Sequence, residues 1–444
     1  MAFEIYQIFT MRNTDYYKNK KVVVVGLGRS GVACVNLLWD LGADVSVTDY
    51  KDDDSTRAHR LKLKSKAIKA ELGRHSQEFV IDKDLLIISP GVPSDASPIL
   101  WAKQENTLII SEIEFAWSLC PGEIIAITGS NGKTTVTTLI GRILSSSGKQ
   151  VFICGNIGNP FSQEVRRIRE KDFVTLEVSS FQLENIVTFK PKISVILNFT
   201  RNHLDRYKNM QEYLEAKKRI FENQDKFDYV VLNQDDPVLR DLAKETKARP
   251  IFFSQTKELN PNQAAVVAVG SILGIDQESV LRVLRDFKGI EHRLEQVAEI
   301  NHIRFINDSK ATTADSALWA LNNIQAPVIL IAGGKDKGVD YGIILGQARQ
   351  KVKEVILIGE AKEKIAQVLK DTLSIEEAGS LEEAVLKAYR KAVPGDSVLL
   401  SPMCSSFDMF SGYEERGNVF KKAVSSLKKN TTKINSNVKI QNSK

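Results

Sequence analysis

The run Ile124-Ile125-Ala126-Ile127-Thr128-Gly129-Ser130-Asn131-Gly132-Lys133-Thr134-Thr135 leaves few options for the chain around it. An apolar, strand-like stretch breaks into a glycine-containing turn and resumes with helical spacing at Val136, Leu139, Ile140, Ile143 and Leu144. A helix N-terminus and several backbone N–H groups therefore converge on one point, which suits a polyphosphate. In this reading Gly129, Ser130, Asn131 and Gly132 let the backbone approach the phosphates, Lys133 reaches the outer ones, and the hydroxyls of Thr134 and Thr135 follow, Thr134 placed to ligate Mg²⁺. The spacing departs from the standard phosphate loop, because Ile127 and not glycine stands five positions before Gly132.

A chain of 444 residues exceeds one ordinary core, and two to three domains are expected. A hydrophobic content of 43% with 26% charged residues is that of a soluble globular protein. The net charge of +6 hints at nucleic acid, but residues 421–444 hold seven Lys and no acid, which leaves the rest near neutral. That placement argues against nucleic-acid binding and predicts a disordered, Lys-rich tail over 425–444. The first residues lack a basic, apolar leader and no later run approaches membrane-spanning length, so a cytoplasmic protein without membrane insertion is expected. Cys34, Cys120, Cys154 and Cys404 are scattered and read as reduced core thiols.

Taken in order, Val22 to Val25 lead into Gly26-Leu27-Gly28-Arg29-Ser30-Gly31, a helical segment, and a second strand, Asp44 to Thr48, that ends on Asp49. Strand, GxGxxG, helix, strand and acid make a dinucleotide-binding unit. Physically this supports a diphosphate over a helix N-terminus with Asp49 near a sugar or base hydroxyl. The unit is closed near residue 111. In the next unit Phe173 to Leu176 delivers Glu177, and Ile193 to Leu197 delivers Asn198 and then His203. Ligands sit beyond the carboxyl ends of parallel strands, so Lys133, Glu177 and His203 are expected around one crevice. Alone, Glu177 could equally be a surface carboxylate; beside a phosphate loop it reads as a Mg²⁺ ligand. A third α/β unit begins near residue 290 and places Arg293, Lys310, Thr312, Lys337 and Ser406 at polar strand ends, a cationic wall suited to carboxylates.

Lys217 has Tyr213, Leu214, Ile220 and Phe221 at i−4, i−3, i+3 and i+4, so it projects from the middle of an apolar stripe. Two readings stay open: snorkelling to the surface, or a functional lysine close to the metal.

With these residues in hand, the chain resembles the Mur ligase family over nearly its whole length. The resemblance rests on Thr128 to Thr135, on Leu176-Glu177-Val178-Ser179-Ser180-Phe181-Gln182-Leu183-Glu184, on Ile306 to Thr312, and on Ser401 to Phe410 with Tyr413-Glu414-Glu415-Arg416-Gly417. It is most similar to members that add D-glutamate. The resemblance implies three α/β domains: a Rossmann-like UDP-binding domain over 1–111, a P-loop-type ATP-binding ligase domain with a mostly parallel sheet over 112–289, and a Rossmann-like amino-acid domain over 290–424. The implied activity is ATP-dependent joining of D-glutamate to UDP-N-acetylmuramoyl-L-alanine through an acyl phosphate, in peptidoglycan precursor synthesis, by a cytoplasmic monomer. Implied cofactors are ATP and two Mg²⁺ ions, one held by Thr134 and Glu177, the other by His203 and a carbamylated Lys217. Leu27, Arg29, Ser30, Asp49 and Gly91 would surround UDP, with Asn156 and Ser179 on the muramoyl part. Asn262, Arg293, Asp308 and Lys310 would meet ATP, and Thr312, Lys337, Ser406, Phe407 and Tyr413 would receive D-glutamate.

The chain departs from the family pattern in four places. Asn202 stands for the usual Asp before the histidine, and Thr313 for the usual Asn. A His-Asn pair beside the adenine is replaced by Glu258-Leu259, with Asn262 retained. The segment after Ser254 is shortened, which predicts weakened adenine binding and an exposed sheet edge. Three rivals compete: a folylpolyglutamate-synthetase-like ligase, an NAD-binding oxidoreductase resting on GxGxxG and Asp49, and a non-catalytic nucleotide-sugar binder.

Overall fold

The structure, a computed structural model, describes residues 14–200, 206–287, 289–336 and 338–441, with side chains as far as residue 428. Contact density divides the chain into two compact units, residues 1–287 and 288–444.

The first unit holds two sheets. Strands β1 (Lys21–Val25), β2 (Asp44–Asp49), β3 (Lys69–Leu72), β4 (Leu85–Ile88) and β5 (Leu108–Ser111) are all parallel, in the order β3-β2-β1-β4-β5. Val22 to Val25 and Leu85 to Ile88 are apolar without alternation because both faces of these strands are covered. Gly31 has its own reason: a Cβ there would collide with the carbonyl oxygen of Gly26, so the helix Arg29–Asp40 comes close to the loop only without that side chain.

The second sheet is also fully parallel: β6 (Glu123–Thr128), β7 (Val151–Gly155), β8 (Phe173–Glu177), β9 (Ile193–Ile196), β10 (Tyr229–Asn233) and β11 (Arg249–Phe253), ordered β11-β10-β9-β6-β8-β7. The strand carrying the phosphate loop thus lies inside the sheet, between β8 and β9. At the outside, β11 forms the edge expected from the shortened segment. It is blunted by Pro250, which has no N–H to offer a further strand, and by the charge of Arg249.

The end of β5 at Ser111 separates these two sheets but not two compact bodies. Val24, Leu37 and Ile87 of the first sheet's layers share one apolar core with Phe161, Leu176 and Phe189 of the second. The helix Glu112–Trp117 joins them and is fixed by a buried carboxylate. Glu114 accepts the backbone N–H groups of Val187, Thr188 and Phe189 at 2.9, 2.8 and 2.9 Å and the Thr188 hydroxyl at 2.6 Å. Tyr17 adds a bond from its hydroxyl to Ser118 Oγ at 2.7 Å. All four cysteines are buried free thiols, as expected. Among the described residues no helix is long and apolar enough to cross a membrane.

The second unit contains β12 (Glu295–Ile300), β13 (Ile303–Asn307), β14 (Val328–Gly333), β15 (Val352–Ile358), β16 (Ser374–Glu377) and β17 (Ser397–Leu400) in the order β12-β13-β17-β14-β15-β16. Only β12 is antiparallel to its neighbour. The last element is a helix, Tyr413–Gln441, which runs into the stretch expected as a Lys-rich tail from 425. Phe420 and Val424 are buried in the unit's core and Leu427 packs on its edge.

Candidate active site

The phosphate loop leaves β6 through two glycines at positive φ, Gly129 at 149° and Gly132 at 82°. Gly132 is required twice over, since its left-handed backbone disfavours a side chain and a Cβ would collide with Asn262 Oδ1. The expected ATP contact Asn262 is therefore already packed on the loop. Gly132 caps the helix Lys133–Ser146 with no side-chain hydrogen bond, so the first-turn N–H groups have no side-chain cap standing in for a ligand. From the neighbouring β9 end, Asn198 grips the loop: its carbonyl accepts Ser130 N–H at 3.1 Å, its Oδ1 accepts Asn131 N–H at 2.8 Å, and its Nδ2 donates to the Asn131 carbonyl at 3.1 Å. Lys133 folds back over the turn, donating to the Gly129 and Ser130 carbonyls at 2.9 and 3.1 Å.

Glu177 ends β8 in register with Ile127 of β6, and the following Val178 N–H donates to the Ile127 carbonyl at 2.9 Å. The surface-carboxylate reading fails, because Glu177 is only 2% exposed. Its Oε1 accepts Asn156 Nδ2 at 2.8 Å, while the buried Oε2 has no partner. An orphaned carboxylate oxygen at this depth is costly unless a cation completes it. Thr134, 4% exposed, is the second residue of the adjoining helix. One carboxylate and one hydroxyl, with phosphate oxygens and water, fit the way Mg²⁺ is usually held. Among the described residues no group of three or more His, Cys, Asp or Glu gathers as a ready-made metal cage. His203, the expected ligand from the β9 end, and Asn202 before it lie outside the described residues, as does Lys337.

Lys217 does not snorkel. It is 1% exposed, donates to the Gly129 carbonyl at 3.1 Å, and lies over the Tyr213 ring at 4.5 Å. Burial first, and the nearby Lys133 second, hold its pKa well below the ordinary lysine range. The Tyr213 hydroxyl in turn lies 3.3 Å from Ser130 Oγ. As an amine, Lys217 is a hydrogen-bond donor and not an anionic metal ligand.

A cleft of about 810 Å³ opens where the order of the first sheet reverses, between β1 and β4. All five expected nucleotide residues, Leu27, Arg29, Ser30, Asp49 and Gly91, line it, with Tyr50, His59 and His75 in addition. Asp49 also holds the loop itself, its oxygens accepting Leu27 N–H at 2.6 Å and Lys51 N–H at 2.8 Å. Two arginines tie this cleft to the second sheet. Arg29 donates to the Gly158 carbonyl. Arg206 donates to the Pro90 and Val92 carbonyls at 3.3 and 3.1 Å and to Glu184 at 2.9 Å. Of the expected muramoyl contacts, Asn156 is bonded to Glu177, and Ser179 caps a short helix in a reciprocal box with Gln182.

In the second unit, Asp308 is 4% exposed and accepts Ser401 Oγ at 2.9 Å and Leu294 N–H at 3.2 Å. Burial pushes its pKa up to about 7, against which those hydrogen bonds and the Arg293 charge act. Lys310 lies over the Tyr413 ring at 5.8 Å. Because β13 and β17 are neighbours, the loops carrying Lys310 and Thr312 on one side and Ser406 and Phe407 on the other leave adjacent strand ends. Ser406 is buried, and Phe407 is exposed. Thr313 caps the helix Ala314–Asn323 by accepting Ser316 N–H, a structural use for this side chain.

Sequence reasoning assigned no role of their own to Tyr50, to Tyr213 beside Lys217, to Arg206 near His203, or to Arg416 within the Tyr413–Gly417 motif. The last carried a usable signal, since Tyr413, Val419 and Phe420 stand at i−3, i+3 and i+4, three of the four positions that single out Lys217.

Comparison with known families matches three consecutive stretches. Residues 20–111 match the Mur ligase MurD-like N-terminal domain, residues 127–283 the Mur ligase middle domain, and residues 292–404 the Mur ligase glutamate ligase domain. A protein of Thermoanaerobacter pseudethanolicus named UDP-N-acetylmuramoylalanine–D-glutamate ligase is 41% identical over 93% of this chain and 99% of its own length. Among solved structures, the UDP-N-acetylmuramate-alanine ligase of Thermotoga maritima aligns with a TM-score of 0.56 at 20% identity, over 92% of this chain and 100% of its own. The bifunctional folylpolyglutamate synthase/dihydrofolate synthase of Yersinia pestis reaches 0.51 at 16% identity, over 69% and 91%. These two likenesses are of fold alone.

Proposed function

The chain belongs to the Mur ligase family, and from that premise we propose that it is an ATP-dependent ligase joining D-glutamate to UDP-N-acetylmuramoyl-L-alanine, with release of ADP and phosphate. The reading places it in peptidoglycan precursor synthesis, as a cytoplasmic monomer. The observation that carries the chemistry is the buried, unpartnered Oε2 of Glu177 one strand away from a phosphate loop.

A carboxylate is a poor electrophile. It is activated when one of its oxygens attacks the γ-phosphorus of ATP and ADP departs; the amine nitrogen of D-glutamate then attacks the acyl carbon, loses a proton, and phosphate leaves with the former carboxylate oxygen. The barrier in the first half is the meeting of two anions. The Lys133 ammonium and the N–H groups of Gly129 to Thr135 would oppose that charge. Mg²⁺ held by Thr134 and Glu177 would supply further neutralisation when bound. Asn156 fixes one oxygen of Glu177 and so aims the other. Asn262, Arg293, Asp308 and Lys310 are read as nucleotide contacts. Thr312, Lys337, Ser406, Phe407 and Tyr413 are read as the amino-acid contacts.

The proposal includes a carbamate on Lys217. A buried amine with a depressed pKa is the neutral nucleophile that adds to CO₂, losing a proton to give an anionic group that, with His203, could hold a second Mg²⁺.

The folylpolyglutamate reading leaves the large cleft of the first sheet unused, and an NAD-binding oxidoreductase leaves the phosphate loop unused. The test is phosphate release from ATP with UDP-N-acetylmuramoyl-L-alanine and a panel of D- and L-amino acids. Release that depends on both the nucleotide substrate and D-glutamate is expected. Release with folate substrates, or none under any condition, would overturn the assignment, the latter in favour of a binder.

A further inference from the structure

Among the described residues Arg416 heads the fully buried side chains by size, at 0% exposure, and the charged carboxylate that acts on its guanidinium is that of Asp408. An arginine so placed is costly unless its charge and donors are used. Its donors go to the exits of two adjacent strands. Nε donates to Ser309 Oγ at 3.0 Å, Nη2 to the Ser309 carbonyl at 2.8 Å, and Nη1 to the Cys404 carbonyl at 3.1 Å. A third exit, that of β14, comes up against the same group, since a Cβ on Gly334 would sit 3.2 Å from Nη1. Ser309 passes the contact on, its hydroxyl donating to the Tyr413 carbonyl at 2.8 Å. The two loops are further stitched by Met403 N–H on the Ala311 carbonyl at 2.9 Å.

We propose that Arg416 is a positioning and specificity-determining residue of the amino-acid site: it holds the loops of Thr312 and Ser406 and the Tyr413 turn in one arrangement, and its positive charge beneath the carboxyl ends of β13, β17 and β14, which the Asp408 carboxylate offsets from the same loop, favours an acceptor carrying two carboxylates. This inference rests on the reading of the second unit as the receiver of D-glutamate. A guanidinium suits both tasks, because a planar fork can bond three carbonyl or hydroxyl groups at once and keep its charge while doing so. In low-dielectric surroundings that charge acts on an anion beyond its hydrogen-bonding reach.

The experiment compares the full-length wild type with Arg416→Lys, Arg416→Met and Ser309→Ala, measuring kcat, KM for D-glutamate, KM for ATP, thermal stability, and the preference for D-glutamate over its uncharged amide D-glutamine. The proposal expects Arg416→Met to raise KM for D-glutamate about tenfold or more and to narrow the glutamate preference, with KM for ATP nearly unchanged. Arg416→Lys should retain more of that preference while still losing affinity through the broken fork. Ser309→Ala, a small change that keeps the arginine, should raise KM for D-glutamate without narrowing the preference. If Arg416→Met does not fold, the other two variants decide. Variants with lower stability and kcat but an unchanged KM and preference would overturn the proposal, leaving Arg416 a structural support. Failure of the underlying reading is seen separately, as a wild type that prefers another amino acid before any variant is made.

Discussion

Lys133 and Lys217 donate to the same acceptor, the carbonyl oxygen of Gly129, at 2.9 and 3.1 Å. One arises from the helix that the loop caps, the other from the helix Met210–Lys218, and both reach the turn where a polyphosphate is expected. Two ammonium groups that close repel each other, and the buried one yields. That divides the pair: burial first, and Lys133 second, lower the pKa of Lys217, so its amine gives up a proton more readily than an ordinary lysine.

From that division, removal of either lysine stops turnover by a different route. Lys133→Ala is expected to lower kcat by about 100-fold or more through lost charge opposite the phosphates. Lys217→Ala should lose a similar factor. Wild-type activity should fall in carbonate-depleted buffer and return with bicarbonate, whereas Lys217→Ala should ignore bicarbonate. A near-normal rate for Lys217→Ala would dismiss its metal role.

Glu177→Gln keeps the size of the side chain and an oxygen for Asn156 while removing the charge. Turnover should drop by about 100-fold, with a raised Mg²⁺ requirement in a metal titration. Thermal stability without nucleotide should not fall, because the variant also removes a buried, incompletely partnered carboxylate. A variant that loses stability and keeps its Mg²⁺ dependence would assign Glu177 to the scaffold.

Gly132→Ala forces a side chain onto a left-handed backbone and into Asn262. A loss of about 1–3 kcal/mol in chemical unfolding is expected, together with lost binding of a fluorescent ATP analogue.

Asp308 gives the second unit a pH signature. Its folded pKa of about 7 stands above the ordinary 3.8, so between those values the folded state keeps a proton that the unfolded state has released. Stability from this group is therefore present below about pH 4 and declines as pH rises to about 7, by a few kcal/mol in all. Unfolding by denaturant across that range should show the decline, and Asp308→Asn should flatten it.

Much of this was legible in the chain because each site residue of the two parallel sheets follows a short apolar run. The end of such a run marks the edge of the sheet where ligands sit, which is how Lys133, Glu177 and Asp49 stand out. Lys217 was legible as a charge on an apolar stripe, although burial and snorkelling give the same pattern until packing decides. What was not legible depends on register. The bond from Asn156 to Glu177 joins residues 21 apart that meet only because β7 and β8 are neighbours. The Glu114 clamp, which merges two sheets into one unit, spans more than 70 residues and follows from no local pattern. The anchoring of the last helix by Phe420 and Val424 was not legible either, because it depends on which strands its first turns pack against.

The most direct test of carboxylate activation at the Gly129 loop labels the substrate carboxylate of UDP-N-acetylmuramoyl-L-alanine with ¹⁸O and follows the label through one turnover with ATP and D-glutamate. The account predicts one ¹⁸O in the released phosphate, carried over when the acyl phosphate is displaced. Phosphate free of label, with amide product formed, would contradict it.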